Sequence, residues 1–377
     1  MNAQPLTGVH LLNFRKALLW WYSIHARDLP WRRTRDPYKI WVSEVMLQQT
    51  RVTAVVPIYR SFVGTYPTIP ALALASEEEI LAQWGGLGYY KRARHLHQAA
   101  RLLLHSYGGK MPRKHEELLK IPGIGQYTAA AVASIAFEEP VAVVDGNVER
   151  VLTRVLGASA GRLPTRKRID DTAQKLLDPH HAGTFNQAMM ELGALLCTPR
   201  LPLCVRCPVQ EYCHTQDEHP VAPRPKTLSV PVAYQVLRRS PKNPVEILLL
   251  RRPLDAAHMP GMWELPLANP ATLQKHRPVW NTKHAITKTR YAVAVYDLGV
   301  APDEPHAAGR EVLWANGIQL QSLPLTGLTR KILMRLHILV RPMDGMAEEE
   351  PLPPLPSGPK PAPLAPRRNI AMEDDGE

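Results

Sequence analysis

A chain of 377 residues with 45% hydrophobic content is long enough for two domains, and no run of about eighteen uncharged apolar residues supplies a membrane-spanning helix. The formal net charge of +12, concentrated in clusters such as Arg32-Arg33-Thr34-Arg35 and the stretch from Arg162 to Arg168, points to a polyanionic partner. Nucleic acid is the first candidate, because lysine and arginine bind phosphates by releasing counterions. The N-terminus lacks the basic start and apolar core of a secretory signal, so a soluble intracellular protein without a membrane partner is expected.

Residues from about 8 to 213 read as mostly helical. Amphipathic stretches run over Leu11 to Tyr22, Ile40 to Tyr59, Glu77 to Trp84, Ala93 to His105, Tyr127 to Ala136 and Asn186 to Leu196, separated by short Gly/Pro breaks. Between the last two, Val148, Val151, Leu152, Val155 and Leu156 repeat at helical spacing. Composition then changes, and residues 218–230 carry prolines and charges as a linker would. Beyond it, Val232 to Leu237, Glu246 to Leu250 and Tyr291 to Leu298 read as strands and Leu328 to Leu339 as a helix, so residues 231–343 form an expected α+β domain. Residues 344–377 are rich in proline and small residues, with too little apolar content to offset ordering entropy, and are expected to be disordered.

Three segments carry chemistry. In Ile121-Pro122-Gly123-Ile124-Gly125 two glycines free the backbone for a sharp turn, and strong helix formers follow from Gln126. Unpaired N–H groups and the helix dipole at such a turn favour an anion such as a DNA phosphate, although an ordinary Pro/Gly turn looks the same. Downstream, the apolar run Val141 to Val144 delivers Asp145 to the start of another helix, in Asp145-Gly146-Asn147. The third segment holds all four cysteines within seventeen residues, Cys197, Cys204, Cys207 and Cys213, at C-x6-C-x2-C-x5-C spacing. That clustering suits a metal site in a reducing compartment better than a disulfide framework. Structural zinc usually takes two separated C-x2-C pairs and only one occurs here, so the spacing favours an iron–sulfur cluster, with zinc and unligated cysteines left as alternatives.

Ile-Pro-Gly-Ile-Gly, Val-Asp-Gly-Asn and C-x6-C-x2-C-x5-C, in this order over about residues 8 to 213, resemble the helix-hairpin-helix DNA glycosylases of the endonuclease III superfamily. The segment Trp41 to Thr50 and the extra C-terminal domain narrow the resemblance to the MutY-type adenine DNA glycosylases. It implies a glycosylase domain over 8–217 made of two helical subdomains, with one [4Fe-4S] cluster in the loop 197–213, followed by a Nudix-like domain over 231–343. It also implies a monofunctional base-excision-repair enzyme that hydrolyses the N-glycosidic bond of adenine mispaired with 8-oxoguanine or guanine in duplex DNA. A monomer, cytoplasmic and nucleoid-associated in a bacterium, is the matching expectation.

By the same resemblance Glu44 protonates the adenine and Asp145 stabilises the sugar cation, with Asn147 positioning Asp145 or the water. Breaking an N-glycosidic bond needs an acid at the leaving base and a negative charge beside an oxocarbenium-like sugar. The apolar neighbours of Glu44 in sequence should raise its pKa, whereas a helix start stabilises an ionised Asp145. Tyr127 stands where strand-cutting relatives place a Schiff-base lysine, and a phenol cannot form that bond. Thymine–guanine mismatch glycosylases of the superfamily also carry tyrosine there, so that activity, or a non-catalytic iron–sulfur DNA-binding protein, remains an alternative.

A base must leave the stack before this chemistry, and the resemblance implies that Gln48, Gln49 and Thr50, with Leu87 and Tyr89 of Gly86-Leu87-Gly88-Tyr89-Tyr90, contact the lesion pair. Gly123 and Gly125 are expected to grip a phosphate. Relatives commonly carry Phe-Ser-His where this chain has Ile286-Thr287-Lys288, so Thr287 and Lys288 become the expected contacts to the base opposite adenine. Leu248 to Pro253 and Gly261 to Pro266 resemble the Nudix-like domain, without the glutamate-rich magnesium helix of a Nudix hydrolase, so that domain should bind rather than cut.

Overall fold

Among the described residues eleven α-helices lead the chain. In the computed structural model they are α1 (Gly8–His25), α2 (Pro37–Leu47), α3 (Val52–Thr65), α4 (Ile69–Leu74), α5 (Glu77–Gln83), α6 (Lys91–Tyr107), α7 (His115–Leu118), α8 (Gln126–Phe137), α9 (Gly146–Leu156), α10 (Arg166–Leu176) and α11 (Ala182–Leu195). The structure describes residues 6–157, 162–215, 228–239, 244–268, 273, 276–286, 289–300, 307 and 309–339. Asp36 caps α2 by accepting from the Tyr38 N–H at 2.9 Å, with Pro37 in the first position. Ser76 and Glu79 close a capping box at α5.

The stretch expected to run unbroken from Ile40 to Tyr59 is two helices. α2 stops at Leu47 and α3 starts at Val52, with Gln49 between them at φ 55°. The four polar residues Gln48 to Arg51 fill the gap, and apolar residues resume at Val52.

Two hydrophobic clusters divide the helical part into the two expected subdomains. One gathers α2 to α8 around Trp41, Phe62, Trp84, Leu96 and Ala131. The other packs Phe14, Leu18, Trp21 and Tyr22 of α1 against Val151 and Leu152 of α9, Leu176 of α10 and Phe185 and Leu192 of α11. α9 and α11 lie on one side of the boundary and α2 and α8 on the other. The catalytic candidates therefore come from different subdomains.

The C-terminal part is α+β. Its strands are β1 (Leu228–Arg239), β2 (Glu246–Arg251), β3 (Trp263–Glu264), β4 (Trp280–Ile286), β5 (Thr289–Val300) and β6 (Val312–Asn316), followed by α12 (Gly317–Ser322) and α13 (Gly327–Arg335). The sheet runs β3-β2-β1-β5-β4, with β6 also on β2; β1 and β5 are parallel, while β1–β2, β2–β6 and β4–β5 are antiparallel. Val236, Ile247, Leu249, Val293 and Val295 of the sheet pack on Leu328, Ile332 and Leu333 of α13. β1 begins at Leu228, inside the expected linker, and the last helix ends at Arg335 instead of Leu339. β3, β4 and β6 were not expected: β3 spans two residues, and β4 carries Asn281, Lys283 and His284 on a half-exposed edge. Residues 216–227, Thr287, Lys288 and the expected tail 344–377 lie outside the described residues. The described parts of both halves belong to one compact unit, Met1–Arg341, and Met262 of the C-terminal half is buried in the first helical cluster.

Candidate active site

Glu44 sits on the inward face of α2 with Ile40, Trp41, Val45 and Met46 around it, and keeps only 4% of its surface exposed. The Tyr127 hydroxyl, reaching from α8, donates a hydrogen bond to Glu44 Oε2. Met190 of α11 brings its Sδ to 3.7 Å from the same hydroxyl, so all three meet at the subdomain boundary. Burial raises the Glu44 pKa to about 7; the Tyr127 donor pulls it down, the Asp145 carboxylate pushes it up and the Arg32 guanidinium lowers it. Burial together with the nearby Glu44 carboxyl raises the Tyr127 phenol well above its ordinary value, which keeps it a proton donor.

Asp145 is the N-cap of α9. Its Oδ1 accepts from the backbone N–H groups of Asn147 (3.0 Å) and Val148 (2.7 Å), and its Oδ2 accepts from Asn147 Nδ2 at 2.9 Å. The Asn147 amide is oriented in turn by Arg150, whose Nη2 donates to Asn147 Oδ1 at 2.8 Å, while Arg150 Nε donates to the Cys197 carbonyl at 2.8 Å. Asn147 thus joins the acid to the cysteine loop. Nothing in the sequence singled out Arg150, because its partners at Gly193 and Cys197 are more than forty residues away.

Beside Glu44 the sequence also gave no sign of Glu191, which is 1% exposed. It accepts from Arg27 Nη2 (2.6 Å) and Arg32 Nη2 (2.8 Å), and these partners hold its pKa down at about 2 against the opposing effect of burial.

Gln48, Gln49 and Thr50 form the turn between α2 and α3. Gln48 Nε2 donates to Thr128 Oγ1 at 3.3 Å, and Thr50 Oγ1 donates to the Leu87 carbonyl at 3.4 Å. The loop after α5 therefore abuts this turn. Its Tyr89 is half exposed at φ 48°, a left-handed conformation that costs a bulky residue energy and marks the position as constrained. Leu87, also expected at the lesion pair, has its side chain 5% exposed in the first helical cluster, and its carbonyl accepts from Thr50. A residue missed in the sequence ties the two segments together. Arg92 donates from Nη1 to the carbonyls of Val45, Met46 and Gln48, and from Nη2 to Thr50 Oγ1 and the carbonyls of Leu87 and Gly88.

Gly123 lies at φ 83°, and a Cβ there would stand 2.8 Å from His95 Cβ, so glycine is required. Gly125 is the N-cap of α8 in extended backbone, with open space around it and no need for glycine conformation. Trp41, Gln48, Arg92, His95 and Gly123 border one open groove of about 270 Å3. The hairpin turn and the turn after α2 are therefore neighbours.

Cys197, Cys204, Cys207 and Cys213 line a single pocket together with Arg154 and Leu203. Four thiols spread around a cavity suit a cuboidal cluster, which takes one cysteine per iron. Burial pushes the Cys207 thiol up to about 12, so its thiolate needs a cationic partner. Arg154 donates to Cys197 Sγ at 3.2 Å and to the carbonyls of Thr198 and Pro199. The residues fit the cluster.

A helical pair of subdomains meeting at a turn, a buried acid and a capped aspartate defines a helix-hairpin-helix DNA glycosylase fold. The chain belongs to the HhH-GPD superfamily of base excision DNA repair proteins, whose family model matches residues 42–179. It is 49% identical over 214 residues to the adenine DNA glycosylase of Homo sapiens, covering 54% of this chain and 39% of the human protein. It is 38% identical over 300 residues to that of Arabidopsis thaliana, covering 67% of this chain and 47% of the relative. A thermostable thymine-DNA glycosylase matches in structure with a TM-score of 0.52 and 33% identity, over 56% of this chain and 98% of its own. The chain thus spans less than half the length of these two adenine glycosylases.

Proposed function

We propose that the protein is a monofunctional adenine DNA glycosylase acting on adenine opposite 8-oxoguanine or guanine in duplex DNA. The observation that carries this reading is the buried Glu44, whose pKa burial raises to about 7, set against an aspartate held by three N–H donors. Neutral Glu44 carries its proton on Oε1, because Oε2 accepts from Tyr127. As the N-glycosidic bond breaks, its electron pair leaves with the adenine and the Glu44 proton passes to the base. The Asp145 carboxylate offsets the positive charge developing on the sugar. Water then adds to the sugar carbon and gives up a proton, and the products are free adenine and an abasic site. Tyr127 supplies no amine, so the strand stays intact.

Before that step the adenine is turned out of the duplex, with Tyr89 wedged into the stack and Gln48, Gln49 and Thr50 against the lesion pair. The backbone of Gly123 and Gly125 holds a phosphate at the N-terminus of α8. The half from Leu228 onward, whose sheet and covering helix are compatible with a Nudix-like fold, reads the opposite base as a binding domain, with Thr287 and Lys288 as its proposed contacts. Cys197, Cys204, Cys207 and Cys213 would hold one [4Fe-4S] cluster, whose part in a hydrolysis is to cross-link the loop. The protein acts as a monomer on chromosomal DNA inside the cell.

Incubation with duplexes holding A opposite 8-oxoguanine, A opposite G and T opposite G, followed by alkali, tests the reading. Adenine release with no strand cutting before alkali supports it. Thymine release alone would replace it with the thymine-DNA glycosylase activity named for the structural relative.

A further inference from the structure

The loop between α5 and α6, which carries Tyr89, is backed by the C-terminal half. Arg330 of α13 lays its guanidinium over Gly85: a Cβ at that position would stand 2.6 Å from Arg330 Nε and 2.7 Å from Cζ. Gly85 is therefore the seat of that guanidinium. Arg330 Nη2 points to the Ala82 carbonyl at 3.5 Å, at the edge of hydrogen-bond range, and Nε is sealed from solvent with no hydrogen-bond partner among the described residues. A buried guanidinium placed this way is held by shape more than by hydrogen bonds. Beside it the hydroxyl of Tyr90, itself 4% exposed, donates to the Leu325 carbonyl at 3.3 Å and is bonded to the Gly86 backbone, within the field of Arg330. The next residues, Gly86, Gly88 and Tyr89, all lie at positive φ, so the loop has little local preference for the shape it holds.

We propose that Arg330 and Tyr90 are positioning residues through which the C-terminal half sets the Gly86–Tyr89 loop, so that seating of α13 against Gly85 fixes Tyr89 for insertion into DNA. The proposal rests on the wedge role given to Tyr89 above, but its first consequence concerns the protein without DNA. The C-terminal half then has a second task beside the base reading proposed above: it shapes the element that opens the duplex.

Amide hydrogen exchange on the full-length protein, cluster intact and no DNA present, tests the contact. In Arg330→Met the amides of Gly86–Tyr89 should exchange about tenfold faster, the factor that loss of one modest buried interaction allows, while those of β1, β2 and α9 stay unchanged. Tyr90→Phe, which deletes only the hydroxyl, should speed the same amides by less. Gly85→Ala should loosen the loop on its own and be partly relieved when combined with Arg330→Ala, because the smaller side chain leaves room for the added methyl. Unchanged exchange at Gly86–Tyr89, or loosening spread evenly through the sheet, overturns the proposal. A second reading, 2-aminopurine fluorescence beside the lesion pair, separates the parts: a loosened loop with unaltered DNA opening refutes the wedge role while leaving the contact standing.

Discussion

Glu44 and Asp145 are both carboxylates, and their surroundings divide the work. α2 folds Glu44 into an apolar wall and leaves it one donor, whereas α9 offers Asp145 its N-terminal amides and the Asn147 side chain. The Glu44 contrast has a thermodynamic signature. Its folded pKa of about 7 lies above the ordinary 4.5, so the neutral side chain contributes stability that is fully present below about pH 4.5 and is lost as pH rises to about 7. The whole loss is about 3 kcal/mol as an order of magnitude. Chemical denaturation of wild type and Glu44→Gln across pH 4–9 should therefore show the variant gaining relative stability through that window and holding the gain above it. Equal pH dependence would mean that Glu44 is not buried as described. Tyr127→Phe removes the hydrogen-bond donor that lowers the Glu44 pKa, so its rate profile should lose activity at a higher pH than wild type. A profile shifted toward acid would contradict the assigned hydrogen bond.

At the scale of elements, the site depends on turns that periodicity cannot show. The helices were legible because their apolar faces repeat at i, i+3 and i+4, and the Ile121–Gly125 turn was legible from its glycines. The break at Gln48–Thr50 was not, since Val52 and Val55 resume apolar residues at helical spacing just beyond it. Arg92 and Arg150 were invisible for a different reason: a single arginine has no local signature, and its role lies in carbonyls brought together by folding. Arg92→Met leaves the carbonyls of Val45, Met46, Gln48, Leu87 and Gly88 without that donor, at a cost of about 2–4 kcal/mol. Urea unfolding should register the cost, and affinity for an abasic-site duplex should drop with it. Gly123→Ala, forced against His95 at positive φ, should destabilise by about 1–3 kcal/mol by the same unfolding measurement and weaken the same complex.

Across the whole molecule the two halves and the cysteine loop converge on one job. The family was legible from three motifs and their order; the sheet was only partly legible, because β4 is a polar edge strand and β6 covers five residues. The cysteine loop is bound to the site through Arg150 and to α9 through Arg154, so loss of the cluster should be felt at a distance. Cys204→Ser should lose brown colour and DNA affinity together, read by visible absorbance and by fluorescence anisotropy with labelled duplex. Full affinity in a colourless protein would refute the cross-linking role. The net charge of +12 further implies that affinity falls steeply with salt.

The account turns on Glu44 delivering a proton to the departing adenine, and the single-turnover rate of base release from an A:8-oxoguanine duplex, followed from pH 5 to 9, tests it most directly. The predicted rate declines about tenfold per unit above pH 7, as neutral Glu44 is depleted, and Glu44→Gln falls by about 100-fold or more below pH 7, without that alkaline decline, so that the gap to wild type narrows toward pH 9. A rate that stays level to pH 9, or a Glu44→Gln enzyme as fast as wild type below pH 7, would contradict it.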